Sequence, residues 1–155
     1  MQQEELVRAI EKAFEAAIYP GDDNLCQGAD PEGIPARLAG RRWQDLRRID
    51  LPFSAFPRLT DQALVYFLPA YLIAIVRDPV ETDYMCEGVF SAFSPEGGYW
   101  YSGNDRYRRL AGLLTSEQRE VLAQYLILEK QRGREVHEND FDLAIAYLRS
   151  RAHRV

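Results

Sequence analysis

The segment Thr60 to Pro79, TDQALVYFLPAYLIAIVRDP, decides the fold class. Thr60 suits a helix N-cap, because its hydroxyl can accept a bond from one of the first free N–H groups. From Asp61 to Arg77 the apolar side chains fall on nearly every face: Leu64, Val65, Phe67, Leu68, Tyr71, Leu72, Ile75 and Val76. A helix that is apolar all round is buried, so this is the expected central helix. Pro69 has no N–H and is expected to kink or break it, and Asp78-Pro79 ends it. The apolar run Ala63 to Val76 is too short to span a bilayer without strain. No membrane association is therefore expected.

Working outward from this helix, Gly and Pro cut the chain into further helix-length pieces. Towards the N-terminus, Leu6, Ile10, Phe14 and Ala17 or Ile18 form one stripe over Gln3 to Ile18, stopped by Pro20-Gly21. Gly21 to Ile34 reads as a long ordered loop. Pro35 to Arg48 reads as a short helix with Leu38, Trp43 and Leu46 inward and arginines outward. Asp50 to Pro57, DLPFSAFP, reads as a loop anchored by its two phenylalanines. Towards the C-terminus, Thr82 or Asp83 is expected to cap a helix reaching Phe93, with Tyr84, Met85, Val89 and Phe93 inward. Asn104 caps a short helix through Leu110. Thr115 with Gln118 is a capping box opening a helix that stops before Gly133. Asn139 or Asp140 caps the last helix, with Phe141, Ala144, Ile145 and Leu148 inward. The expectation is an all-α, compact single-domain array of about six helices with long ordered loops, spanning 1–155.

Composition narrows the function classes. With 155 residues, 46% hydrophobic and 28% charged, the chain has enough apolar material for a core. Net charge is −5, so nucleic acid is an unlikely default partner. Acid dominates up to Glu32, whereas Arg37, Arg41, Arg42, Arg47, Arg48 and Arg58 reverse the sign in the next stretch. The plain reading is two solvated faces; the sharper one is a partner site. Two distant cysteines, Cys26 and Cys86, make neither a disulfide framework nor a metal knuckle. The N-terminus lacks the basic-then-apolar pattern of a secretory signal. A reducing, cytoplasmic location is expected.

Motifs for chemistry are sparse. No Gly-rich phosphate loop, nucleophile elbow or HExxH occurs, no catalytic residue is assigned, and no cofactor is implied. With His137 and His153 as the two histidines, a multi-histidine metal site is excluded. Asp22, Asp23, Asp30 and Glu32 are oxygen donors of the kind hard cations take, yet the spacing fails a calcium-loop test. Gln27 stands where a glycine is required, and Gly33 where a glutamate is. Asp and Asn in a PGDDN turn more often bind their own backbone. His137, in HEND, is a weak general-base candidate. Trp43 among arginines is an ingredient of a nucleic-acid surface, but more often a core anchor. The loop GGYWYSG places Tyr99, Trp100 and Tyr101 in a row. They are either interface anchors or a plug over helix ends.

The segments YPGDDN (Tyr19 to Asn24), LTDQALVYFLPAYLIAIVRDP (Leu59 to Pro79) and LLTSEQREVLAQYL (Leu113 to Leu126) resemble an uncharacterised bacterial family catalogued only as a domain of unknown function. The likeness covers Ile18 to Leu126, and LPAYL is its most specific part. It implies a bacterial, cytoplasmic, helical domain and transfers no activity. Small acidic domains of this style also include immunity proteins that neutralise toxins, which is analogy alone.

The leading expectation is thus a non-catalytic protein-binding module, such as an immunity or antitoxin-like inhibitor of a basic toxin or effector. Its candidate binding residues are Asp22, Asp23, Asp30, Tyr99, Trp100 and Tyr101. The alternative is a small metal-assisted hydrolase using Asp22 and Asp23. The weaker alternative is nucleic-acid binding through Arg41 to Arg48.

Overall fold

The helix Asp61–Arg77 (α3) forms as expected. The Thr60 hydroxyl accepts from the Ala63 N–H at 3.1 Å, and α3 is buried along most of its length. Pro69 lies inside it and is itself buried, but the helix runs on to Arg77 as one element. Burial of the flanking apolar side chains outweighs the one hydrogen bond that Pro69 cannot donate. A computed structural model describes residues 2–27, 33–52, 56–95, 105–133 and 138–150.

Seven α-helices occur among these residues: α1 (Gln3–Phe14), α2 (Ile34–Leu38), α3, α4 (Asp83–Phe93), α5 (Arg106–Leu113), α6 (Ser116–Gln131) and α7 (Glu138–Leu148). No strand is present among them, and the all-α class holds. The helix α1 packs on α3 and α6, α7 lies on α6, and α4 and α5 pack on each other and on α3. Their inner faces merge into one core around Phe14, Phe67, Tyr71, Leu122 and Phe141. No described helix is long and apolar enough to cross a membrane.

Polar side chains lock the helix ends. Arg132 of α6 donates to the carbonyls of Ile75 and Val76 at 3.2 and 2.7 Å and to the buried Glu129 at 3.0 Å, closing the C-terminus of α3. Glu129 also accepts from the buried Cys86 thiol. Arg106 is 3% exposed and holds Asp61, the Phe56 carbonyl and the Leu59 carbonyl together. Phe56 is thereby seated on Tyr71, as DLPFSAFP suggested for its second phenylalanine. Gly88 of α4 makes the room, since a Cβ there would stand 2.5 Å from the Phe56 ring.

Four expectations need correction. First, α1 ends at Phe14 and Ile18 lies outside the core, because Gln118 and Trp43 take the carbonyls of Ala13 and Phe14. Second, the helix expected from Pro35 to Arg48 stops at Leu38. Gly40 turns the chain with a left-handed φ of 70°, and 3-10 turns follow at Trp43–Asp45 and Arg48–Asp50. Third, Tyr84 is 67% exposed rather than inward. Fourth, two expected caps are not made: the Thr82 hydroxyl, at the N-cap position of α4, donates back to the Asp78 carbonyl instead, and Asn139 and Asp140 fall inside α7, which starts at Glu138.

Candidate docking groove

Two bends in the chain create an open trough. The first is the end of α1, where Ala13, Ala16 and Ala17 leave a low, smooth wall. The second is the corner between α5 and α6, where Leu113, Thr115 and Ser116 make the opposite wall. Val65 and Tyr66 of α3 form the floor, and the space between is about 750 Å³. The trough is open to solvent rather than enclosed.

The sequence builds both walls firmly. At the corner, the buried Arg119 donates to the carbonyls of Ala111 and Leu114 and to the Ser116 hydroxyl. That satisfies carbonyls at the end of α5 and fixes the turn. Thr115 and Gln118 form the capping box expected from sequence, with bonds of 3.0 and 3.1 Å. The Gln118 amide also donates to the Ala13 carbonyl at 3.1 Å, tying the α6 wall to the α1 wall. Along the floor, Tyr66 accepts from the Trp43 N–H at 3.3 Å. Trp43 is the core anchor its bland reading proposed.

Apolar side chains stay in water here. Ile18 is 88% exposed and Leu113 45% exposed, and both line the trough. An exposed isoleucine alone needs no explanation. An exposed isoleucine and leucine facing a shared apolar floor make a patch of the kind that partners cover.

Asp22 and Asp23 are displayed on a 3-10 turn next to this trough. Tyr19 makes the connection: its ring meets the Tyr66 ring edge-on at 5.5 Å. The Tyr19 hydroxyl donates to Asp22 and accepts from the Gly40 N–H at 2.8 Å, and Gly40 also donates to Asp22 at 3.0 Å. Partial burial, then the hydrogen bond to Asp22, pushes the Tyr19 phenol above its ordinary range. Asp22 therefore clasps the turn to Gly40, which is the backbone-binding role expected of a PGDDN turn. Asp23 is exposed beside it. Asp30, Glu32, Tyr99, Trp100, Tyr101, His137 and His153 lie outside the described residues. Among the described residues, no three His, Cys, Asp or Glu side chains converge as a metal group.

The arginine stretch is placed elsewhere, along a second groove of about 400 Å³ lined by Trp43, Arg47, Arg48 and Arg77. Its charges are answered locally. Arg42 pairs with Asp45 at 3.1 Å and Arg48 with Asp78 at 3.1 Å, while Arg41 and Arg47 approach Asp50 at 3.5 and 3.9 Å. The bond from Arg42 holds the Asp45 carboxyl below the usual carboxylate range. Among the described ion pairs, Glu4 of the acidic α1 meets Arg77 rather than this stretch.

No family model, curated protein or solved structure matches the chain.

The groove itself had no sequence signal. Ile18 was assigned to a core stripe, and Leu113 carried no functional reading. The one usable cue was the tight junction LLTSEQ, which forces a helix end and a helix start side by side and leaves Leu113 on the rim.

Proposed function

We propose that this protein is a non-catalytic binding module and that the trough between α1, α3 and the α5–α6 corner is its docking face. The observation that carries this reading is that Ile18 and Leu113, both solvent-exposed, line the same open trough as Val65 and Tyr66. An open trough does not enclose a small molecule, which pockets normally bury by about 70–90%. It suits the side chains of another protein, laid along it. An acidic inhibitor of the immunity or antitoxin kind, seated on a basic toxin or effector, is the concrete form of this reading. The membership in a bacterial family suggested by YPGDDN and YFLPAYL is likewise a proposal, resting on motif likeness.

The metal-assisted hydrolase draws no support from Asp22, whose carboxylate is engaged by Tyr19 and Gly40. Nucleic-acid binding through Arg41 to Arg48 draws little, because each of Arg41, Arg42, Arg47 and Arg48 faces a carboxylate.

The test is site-specific photo-crosslinking in the native host. A photoreactive residue at position 18 is expected to give one dominant protein adduct. The same residue at position 84, an exposed site on α4, is expected to give none of that species. Equal adducts from both positions, or none from position 18, would remove the groove from the account.

A further inference from the structure

We infer that the occupant of the groove is a basic amphipathic helix of a partner protein, its apolar face on Val65, Ile18 and Leu113 and its cationic flanks on Glu15 and Glu117. This rests on the docking reading above and adds the partner's shape and charge.

The shape follows from what the walls offer. The groove is made by α1, α3 and the α5–α6 corner, with no sheet edge among the described residues. An extended segment laid there would find no ladder of backbone partners for its own N–H and C=O groups, and leaving such groups dry is unfavourable. A helix satisfies its backbone internally and presents side chains at i, i+3, i+4 and i+7 to an apolar trough. The alanines of α1 leave room for a helix to approach closely.

The sign of charge follows from the rim. Glu15 and Glu117 both line the groove and are exposed, against a single cation among the described lining residues, Lys12. Asp22 is linked to the floor through Tyr19 and Tyr66. Arg109, one turn before Leu113 on α5, is tied to Asp61 at 2.9 Å. The whole chain carries −5, so the far field has the same sign as the rim. Such a rim steers cationic partners to the groove and repels anionic ones.

The experiment uses designed probes against the full chain. A Leu/Lys peptide with leucines at i, i+3, i+4 and i+7, a Leu/Glu peptide of identical leucine spacing, and a Leu/Lys peptide interrupted by prolines are titrated by fluorescence anisotropy. The binding site is mapped by amide chemical shifts. The expected result is that the Leu/Lys peptide binds at least about tenfold more tightly than either of the others, more weakly as salt rises. Its shift changes are expected at Ala13 to Ile18, Val65 and Leu113 to Gln118. The Glu15→Lys/Glu117→Lys variant is expected to abolish the preference over Leu/Glu, and Ile18→Asp to weaken the helical peptides alike. All three substituted positions are solvent-exposed, and circular dichroism confirms the fold.

Equal binding of Leu/Lys and Leu/Glu in the groove would overturn the charge assignment while the docking face stands. Equal binding of the proline-interrupted peptide would overturn the helical shape. Shift changes mapping away from the groove would overturn the inference outright. So would a concentration-dependent dimer that Ile18→Asp dissolves, since the occupant would then be a second copy of this chain.

Discussion

At the scale of single residues, Arg106 carries more than any other described side chain outside the apolar core. It sits 3% exposed, with its charge on Asp61 and two further bonds to the backbone of the preceding loop. Replacing it by methionine removes the donor to the Phe56 carbonyl and leaves the Leu59 carbonyl to Gln27 and the partly buried Asp61 to Arg109. Arg106→Met is expected to lower unfolding free energy by about 2–4 kcal/mol in urea titration. Arg109, also on Asp61 but 59% exposed, is expected to matter by less than about 1 kcal/mol when changed to alanine. Burial raises the Asp61 carboxyl, but hydrogen bonds from Arg109 and Arg106 and their charges outweigh it and hold Asp61 below its ordinary 3.8. A depressed carboxyl contributes stability above its unfolded pKa, lost as pH falls through the folded value. The urea midpoint of Asp61→Asn is therefore expected to fall less than that of the native chain between neutral pH and pH of about 3. Gly88→Ala reverses the usual helix preference, because the new methyl meets the Phe56 ring. A loss of about 1–3 kcal/mol is expected, where an open helix site would gain about 1. None of these roles was legible from sequence: RYRRL reads as three equivalent surface arginines, and only the loop packed beneath α5 distinguishes the first.

At the scale of elements, capping and all-round apolarity were the reliable signals. Thr60 and Thr115 cap where their hydroxyls and neighbours indicated, and α3 is buried as its composition required. Thr115→Ala is expected to reduce stability by about 1 kcal/mol, measured as a shift in the urea midpoint at unchanged slope. What pattern could not locate were ends set by distant side chains. α1 stops at Phe14 because Trp43 and Gln118 reach in from 29 and 105 residues away. The helix expected over Pro35 to Arg48 shortens because Gly40 turns the chain and Asp22 and Tyr19 bind its N–H. Both misplacements matter functionally, since a longer α1 would have carried Ile18 into the core stripe and closed the trough.

At the scale of the whole molecule, the described helices leave an open trough lined by Ile18, Val65 and Leu113, and the arginine-rich stretch lines a separate groove with its charges paired. The all-α class was legible from the spacing of apolar residues and breakers. The docking face was not, because it belongs to no contiguous motif: it joins the end of one helix, the first turns of another and the corner between two more. Of the residues singled out beforehand, Asp22 proves to be a structural clasp and Asp23 an exposed charge beside it. Asp23→Lys is expected to slow association with a cationic partner, the effect shrinking as salt is added, with little change in stability. The most direct measurement is parallel affinity purification of the native chain and Ile18→Asp from the native host, with bound proteins quantified by mass spectrometry. The docking account predicts one partner at near-equal stoichiometry on the native chain and its loss from the variant. A partner retained equally by both, or no partner on a folded native chain, would contradict it.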